Sequence, residues 1–182
     1  MIRALGDRRP RIHPTAFVSE AAYVVGDVEI GEGSSIWPGT VIRANNNKIR
    51  IGKFVNIQDN CVIHADAECN YGDYVTLGHH VMCHATTVEE HCLVGNGATV
   101  NGGAIIRHHS IVAAGSVVLE RVEIPPNSFA VGAPAEVTRQ VTERHLQMLE
   151  NLPKGYHRNG QIFKEAGLGD PDQDRFTDPT ME

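Results

Sequence analysis

The sequence predicts an all-β protein, a parallel β-helix of hexapeptide rungs with a C-terminal helix packed along it, and three observations carry that reading. A branched apolar residue returns every six positions at Ile12, Val18, Val24, Ile30, Ile36 and Ile42, with Ala16, Ala22, Val28, Ser34 and Thr40 each following one of the first five by four places. The composition agrees: 18 glycines and only 5% aromatic residues suit small side chains stacked at regular intervals, not a helical or doubly wound core. The same pattern then resumes after each of two interruptions, which chance does not sustain.

Residues 1–136 are expected to form the β-helix domain. Three two-sided rungs make one coil of eighteen residues, so the leading aliphatic of each rung points inward and stacks on its equivalent about 4.8 Å away, the spacing of neighbouring strands. After a three-residue excess at 44–48 the repeat continues through Ile51, Ile57 and Ile63, with Val55 and Cys61 in the small position. It runs on through Val88, Val94, Val100, Ile106, Val112, Val118 and Ile124, paired with Cys92, Ala98, Ala104, Ser110, Ser116, Val122 and Ser128. From Ile12 to about Val137 there is room for about seven coils. Gly26, Gly33, Gly97, Gly103 and Gly115 fall at corners where a positive φ is expected. The second interruption lies between Ile63 and Leu77, a step of fourteen residues instead of twelve, where Asp66, Glu68, Asn70, Gly72 and Asp73 make a polar excursion beside His64.

Residues 137–166 change to a helical period, with Val137, Val141, Leu146, Leu149 and Leu152 on one stripe, Thr142 as an internal cap, and Pro153 with Gly155 expected to end or kink the helix. Residues 167–182 read as a disordered acidic tail. A net charge of -6 with no run of Lys or Arg argues against nucleic acid or an anionic membrane as partner. With no apolar stretch near Met1 and none long enough to span a bilayer, a soluble cytoplasmic protein is the expectation. Cys61, Cys69, Cys83 and Cys92 lack metal or disulfide spacing and read as reduced core thiols.

The histidines carry the chemistry. His64 and His84 each follow an inward position, Ile63 and Cys83, so both occupy the second place of a rung and point outward. They are twenty residues apart, one coil plus the loop excess, which stacks them on neighbouring coils. His79 lies five residues before His84, one face earlier, and reaches the same ion only from another subunit. Three imidazoles with an open fourth position are the donor set of a catalytic zinc, which lowers the pKa of a bound water and makes it a nucleophile. His80, His91, His108 and His109 fall at exposed corner positions and read as solvated, while His13, His145 and His157 have no partner pattern.

Several local motifs extend the repeat: Ile36-Trp-Pro with Val41-Ile-Arg43, Asn56-Ile-Gln58-Asp59-Asn, Val62-Ile-His64, and Gly78-His79-His-Val-Met-Cys-His84. On these, residues 11 to about 156 resemble the gamma-class carbonic anhydrase family in its compact branch. The resemblance implies a left-handed β-helix, a homotrimer, and reversible hydration of carbon dioxide to bicarbonate by a metal-bound hydroxide at the subunit interface. It implies Zn2+, with Fe2+ or Co2+ as alternatives, held by His64, His79 and His84. It further implies that Gln58 orients the reacting oxygen with Asn56 behind it, that Arg43 and Asp59 make interface and active-site polar contacts, and that Tyr156 approaches from the C-terminal helix. Two departures stand out: the family's Arg-Gly-Asp reads Arg43-Ala44-Asn45, and the long acidic loop with a glutamate proton shuttle is missing, leaving Asp66, Glu68 or Tyr156 for that role. The alternatives are an acyl-CoA thioesterase or acyltransferase of the hexapeptide-repeat type, or a catalytically weak metal-binding scaffold.

Overall fold

The computed structural model describes residues 1–64 and 66–181. The chain winds as a triangular prism whose strands pair in parallel with their equivalents one coil away. One such column runs Phe17, Ser35, Asn56, Thr76, Leu93, Ile111 and Phe129, which counts the seven coils. The inward positions form the core as the period requires: Ile12, Val18, Val24, Ile30, Ile36, Ile42, Ile57 and Ile63 are all fully buried, as are Ala16, Val28 and Thr40 from the small positions. Each buried Val or Ile contributes about 1.5–3 kcal/mol relative to exposure. Ser and Thr serve in the small position because the coil below satisfies them. Ser34 Oγ donates to Gly52 O at 2.7 Å and accepts from Val55 N at 2.9 Å, and Thr40 Oγ1 donates to Gln58 O at 2.8 Å.

The three faces differ in what they present outward. The first, with the column Tyr23, Val41, Val62, Met82, Thr99 and Val117, is apolar, and Val62 is 44% exposed. The second carries Arg11, Glu29, Arg50, Asn70, Thr87, Ile105 and Glu123 and is laced by ion pairs such as Lys48–Glu29 at 2.7 Å and Arg107–Glu123 at 2.8 Å. The third, the column that counts the coils, is covered in its upper part by helix α1 (Glu143–Glu165). Both interruptions of the repeat have structural counterparts. The excess at 44–48 lies in the long strand Val41–Ile51, which turns a corner with a register shift against Tyr23–Ile30. The later one falls between the strands Val62–Ile63 and Cys69–Tyr71, and the rung that follows Cys83 is one residue short, since Met82 pairs with Thr99 seventeen residues on, not eighteen. The five corner glycines expected at positive φ all adopt it.

The C-terminal region departs from expectation in three ways. Residues 136–140 are a strand, Glu136–Gln140, antiparallel to Ser128–Val131, so Val137 belongs to the sheet and not to a helical stripe. Thr142 caps the helix as expected: its side chain accepts from His145 N, while His145 Nδ1 accepts from Thr142 N. Pro153 does not end α1, because the turn it weakens is pressed against the prism, with Leu149, Pro153 and Gly160 buried. Gly160 permits the approach, since a Cβ there would lie 3.1 Å from Phe17 Cβ. Residues 167–181 are not a free tail. Asp170 N donates to Val18 O at 2.8 Å, buried Gln173 bonds Ala16 O at 3.0 Å and Val18 N at 3.3 Å, and Phe176 packs against the core, so polar groups scored as solvated by composition pair with the first coil. No helix among the described residues is long and apolar enough to cross a membrane.

Candidate metal centre

The apolar face has two edges, and the chemistry-bearing residues divide between them. At the edge where the chain leaves the face, Arg43, His64 and His84 stand one above another, each following an inward residue of the paired column Ile42, Ile63 and Cys83. The imidazoles of His64 and His84 lie 5.4 Å apart, centroid to centroid. His64 Nδ1 is 2.8 Å from Arg43 O, and since a carbonyl has no proton to give, Nδ1 donates and Nε2 is left with its lone pair. The His84 ring rests on Gly102, where a Cβ would lie 3.0 Å from its Nδ1. Asp66, on the loop after His64, faces both rings with its Oδ1 3.9 Å from His64 Nε2 and its Oδ2 4.0 Å from His84 Nε2. His64, Asp66 and His84 offer three donor atoms within 4.8 Å of one another. Beside them opens a cavity of about 370 Å³ lined by Asp66, His84, Thr86, Gly102, Glu120 and Arg121.

At the opposite edge, where the chain enters the face, sits His79. Its Nδ1 is 2.9 Å from Asp59 Oδ2, so Nδ1–H donates to the carboxylate and Nε2 is left as the uncommitted nitrogen of a side chain that is 41% exposed. Asn96 Oδ1 accepts from His79 N at 3.1 Å and steadies the corner. Tyr156 is held over this edge by α1, edge-on to Trp37 at 5.6 Å, and its phenol is pushed up by burial and then by the Asp59 carboxylate. Gln58, which precedes Asp59, is nearly buried here. Asn56 is fully buried on the helix-covered face, and neither its amide nitrogen nor its amide oxygen has a partner; Thr76 Oγ1, one coil along, has none either. Such orphans cost about 1–3 kcal/mol each.

The structure thus brings Arg43, His64 and His84 together at one edge and Asn56, Gln58, Asp59, His79 and Tyr156 at or near the other. Within one chain it does not bring His79 to the other two histidines, nor does Arg43 pair with Asp59, whose partner is His79. Asp66 reads from sequence as part of a polar excursion beside His64 and as a candidate proton relay, not as a metal ligand, and the excess after His64 is the signal that places it. Gly102 and Arg121 were missed; the only sign of the first is an Asn101-Gly-Gly103 corner one coil beyond His84.

Fold and site together define a class, a left-handed parallel β-helix of hexapeptide rungs with histidines displayed along its corners. A Bacillus cereus structure provisionally labelled an acetyltransferase superposes with a TM-score of 0.88 at 36% identity, covering 91% of this chain and 98% of that one. No family model matches the chain. A carbonic anhydrase of Geobacillus kaustophilus is 37% identical over 90% of this chain and 91% of its own length. A mitochondrial gamma carbonic anhydrase of Arabidopsis thaliana is 39% identical over 86% of this chain, which spans 59% of that relative's length. The chain belongs to the gamma carbonic anhydrase family.

Proposed function

We propose that the protein is a metal-dependent carbonic anhydrase, interconverting carbon dioxide and bicarbonate at a centre shared between neighbouring protomers of a homotrimer. The observation that carries the reading is the split of its residues between the two edges of one apolar face. A face of this kind meets the next protomer edge to edge, in a heterologous contact that closes into a ring. Each junction then unites His64 and His84 of one chain with His79 of its neighbour. The donor chemistry fits such an ion: His64 and His79 have their Nδ1 positions committed and their Nε2 lone pairs uncommitted, as metal-binding imidazoles require.

Zn2+ is the ion this donor set suits, with Fe2+ and Co2+ as alternatives. Bound there, it supplies the Lewis acidity that makes water nucleophilic near neutral pH. The remaining work falls to the chain. Asp59 fixes the tautomer of His79, and the Arg43 carbonyl fixes that of His64. Gln58 offers an amide to orient the carbon dioxide and bicarbonate oxygens, and Asn56 stands behind it with hydrogen-bonding capacity still free. The cavity beside His84 leaves open space next to the centre, with Thr86, Glu120 and Arg121 in its lining. Tyr156 and Trp37 close the His79 edge.

The test is subunit complementation read by stopped-flow carbon dioxide hydration, with metal content measured. His79→Ala and His64→Ala should each be inactive alone. Mixed and reassembled in equal amounts, they should recover about a quarter of the wild-type sites, the fraction of junctions in which a good His79 meets a good His64 and His84. Full metal occupancy without hydration would replace the enzyme reading with a metal-binding scaffold, and thioester turnover in its place would favour acyl-CoA chemistry.

A further inference from the structure

We infer that Asp66 is itself a metal ligand in this chain, completing with His64 and His84 a two-histidine, one-carboxylate set inside a single protomer. The inference rests on the reading of this corner as a metal centre and adds a donor to it. Three features point the same way. The carboxylate is bridged across the pair, one oxygen toward each Nε2, at 3.9 and 4.0 Å. These separations are too long for hydrogen bonds. They are somewhat longer than the roughly 3–3.5 Å between neighbouring donors on an ion with bonds of about 2.0–2.2 Å. Closing the set asks for a shift of about 0.4–1.0 Å toward each ring from a side chain that is 91% exposed, with the three donors drawn in from within 4.8 Å of one another. Finally, the loop that carries Asp66 is the two-residue excess over the hexapeptide rung, counted from Ile63 to Tyr71 as eight residues against six. A regular rung would have no residue at this point over the two rings.

The added oxygen changes which ion the site suits. With His79 of a neighbouring protomer the set becomes three nitrogens and one carboxylate, which fills a four-coordinate zinc and leaves substrate only an added fifth position. Ions that accept five or six ligands keep a position open, and two histidines with one carboxylate form the donor set of non-haem Fe2+ centres. The site is therefore tuned toward Fe2+ or Co2+. The same set lets a protomer capture its ion before assembly, with His79 joining when the ring closes.

The test uses the full chain and Co2+, with affinity from chelator competition and coordination from the visible spectrum, for wild type, Asp66→Asn, His79→Ala and the double variant. Asp66→Asn should weaken Co2+ binding by about tenfold or more and alter the spectrum. His79→Ala should retain weaker Co2+ binding, and the double variant should lose it. Wild-type affinity in Asp66→Asn overturns the assignment, and so does a weakened affinity with an unchanged spectrum, which would mean that the charge acts through space. Unchanged affinity in His79→Ala with loss in the double variant supports Asp66 while overturning the shared junction. Absence of Co2+ binding in the wild type overturns both. Circular dichroism of each variant checks that the exposed loop change leaves the fold intact.

Discussion

Gly102→Ala tests the geometry at His84 with little disturbance elsewhere. The backbone at Gly102 lies outside the left-handed region, so alanine meets no conformational strain there, but its Cβ would stand 3.0 Å from His84 Nδ1 and 3.7 Å from Cε1. Ordinary contact begins at 3.4 Å, so the ring must give by 3.4 minus 3.0, or 0.4 Å. Binding constellations must be held within about 0.5 Å, so this displacement uses nearly all of that tolerance, and the loss in metal affinity should fall toward the lower end of the about 10–100-fold that losing the support of a ligating histidine costs. That range is about 1.4–2.8 kcal/mol. The effect on folding has the opposite sign, because replacing glycine by alanine at a compatible site restricts the unfolded chain and stabilises by about 0.4–1 kcal/mol. Chelator competition for Co2+ or Zn2+ should therefore show weaker binding while the melting temperature of the metal-free protein holds or rises. Wild-type affinity would refute the argument. So would a metal-free protein destabilised in step with the affinity loss, since the coil would then have repacked instead of the ring moving.

Burial pushes the thiols of Cys61, Cys69 and Cys92 up to about 12 and raises Cys83 as well, so none of the four should react with a thiol reagent at pH 8 until the protein unfolds; one rapidly labelled cysteine in the native state would contradict this. Burial, then His91 and His108, hold His109 below its ordinary value of 6.5. The folded state thus binds this proton less readily than the unfolded one, and the stability present above the unfolded value is lost as pH falls through it toward the folded value. Melting temperatures at pH 7.5 and pH 5 should drop less in His109→Asn, which keeps a left-handed backbone like that of Asn127 in the same column; an identical pH dependence would count against it. Val62→Lys puts a charge on the centre of the apolar face, and mass measurement in solution should find a folded monomer; an unchanged assembly would move the interface elsewhere.

The core was legible because its period is a direct consequence of geometry: a side chain in one rung needs an equivalent in the next, so Ile12 to Ile42 and Val88 to Ile124 announce themselves. The histidine pair was legible through the same arithmetic. What escaped were features that break the period or act through no side chain. Gly102 contributes only the absence of a Cβ, and the shortened rung after Cys83 leaves no mark in a list of aliphatic residues. The C-terminal segment was misread because composition scores Asp170 and Gln173 as solvated, whereas each here has a backbone partner in the first coil. Pro153 failed as a helix terminator because the packing of Leu149 and Gly160 against the prism holds the helix together across it.

The placement of the histidines also bears on how the assembly is to be measured. His79 and His84 are five residues apart, at most about 17 Å of extended chain, yet they lie on opposite edges of a face because a rung lies between them. On the proposed reading one edge meets the other edge of a different copy, and any closed ring built this way has as many junctions as protomers. One ion per chain is accordingly expected for a ring of any size and does not argue for three. Complementation is equally blind to size, since in random mixtures the chance that a given junction pairs a good His79 with a good His64 and His84 is about one quarter however many copies close the ring. The stoichiometry and the mixing experiment therefore test the heterologous contact, and mass alone tests the threefold ring.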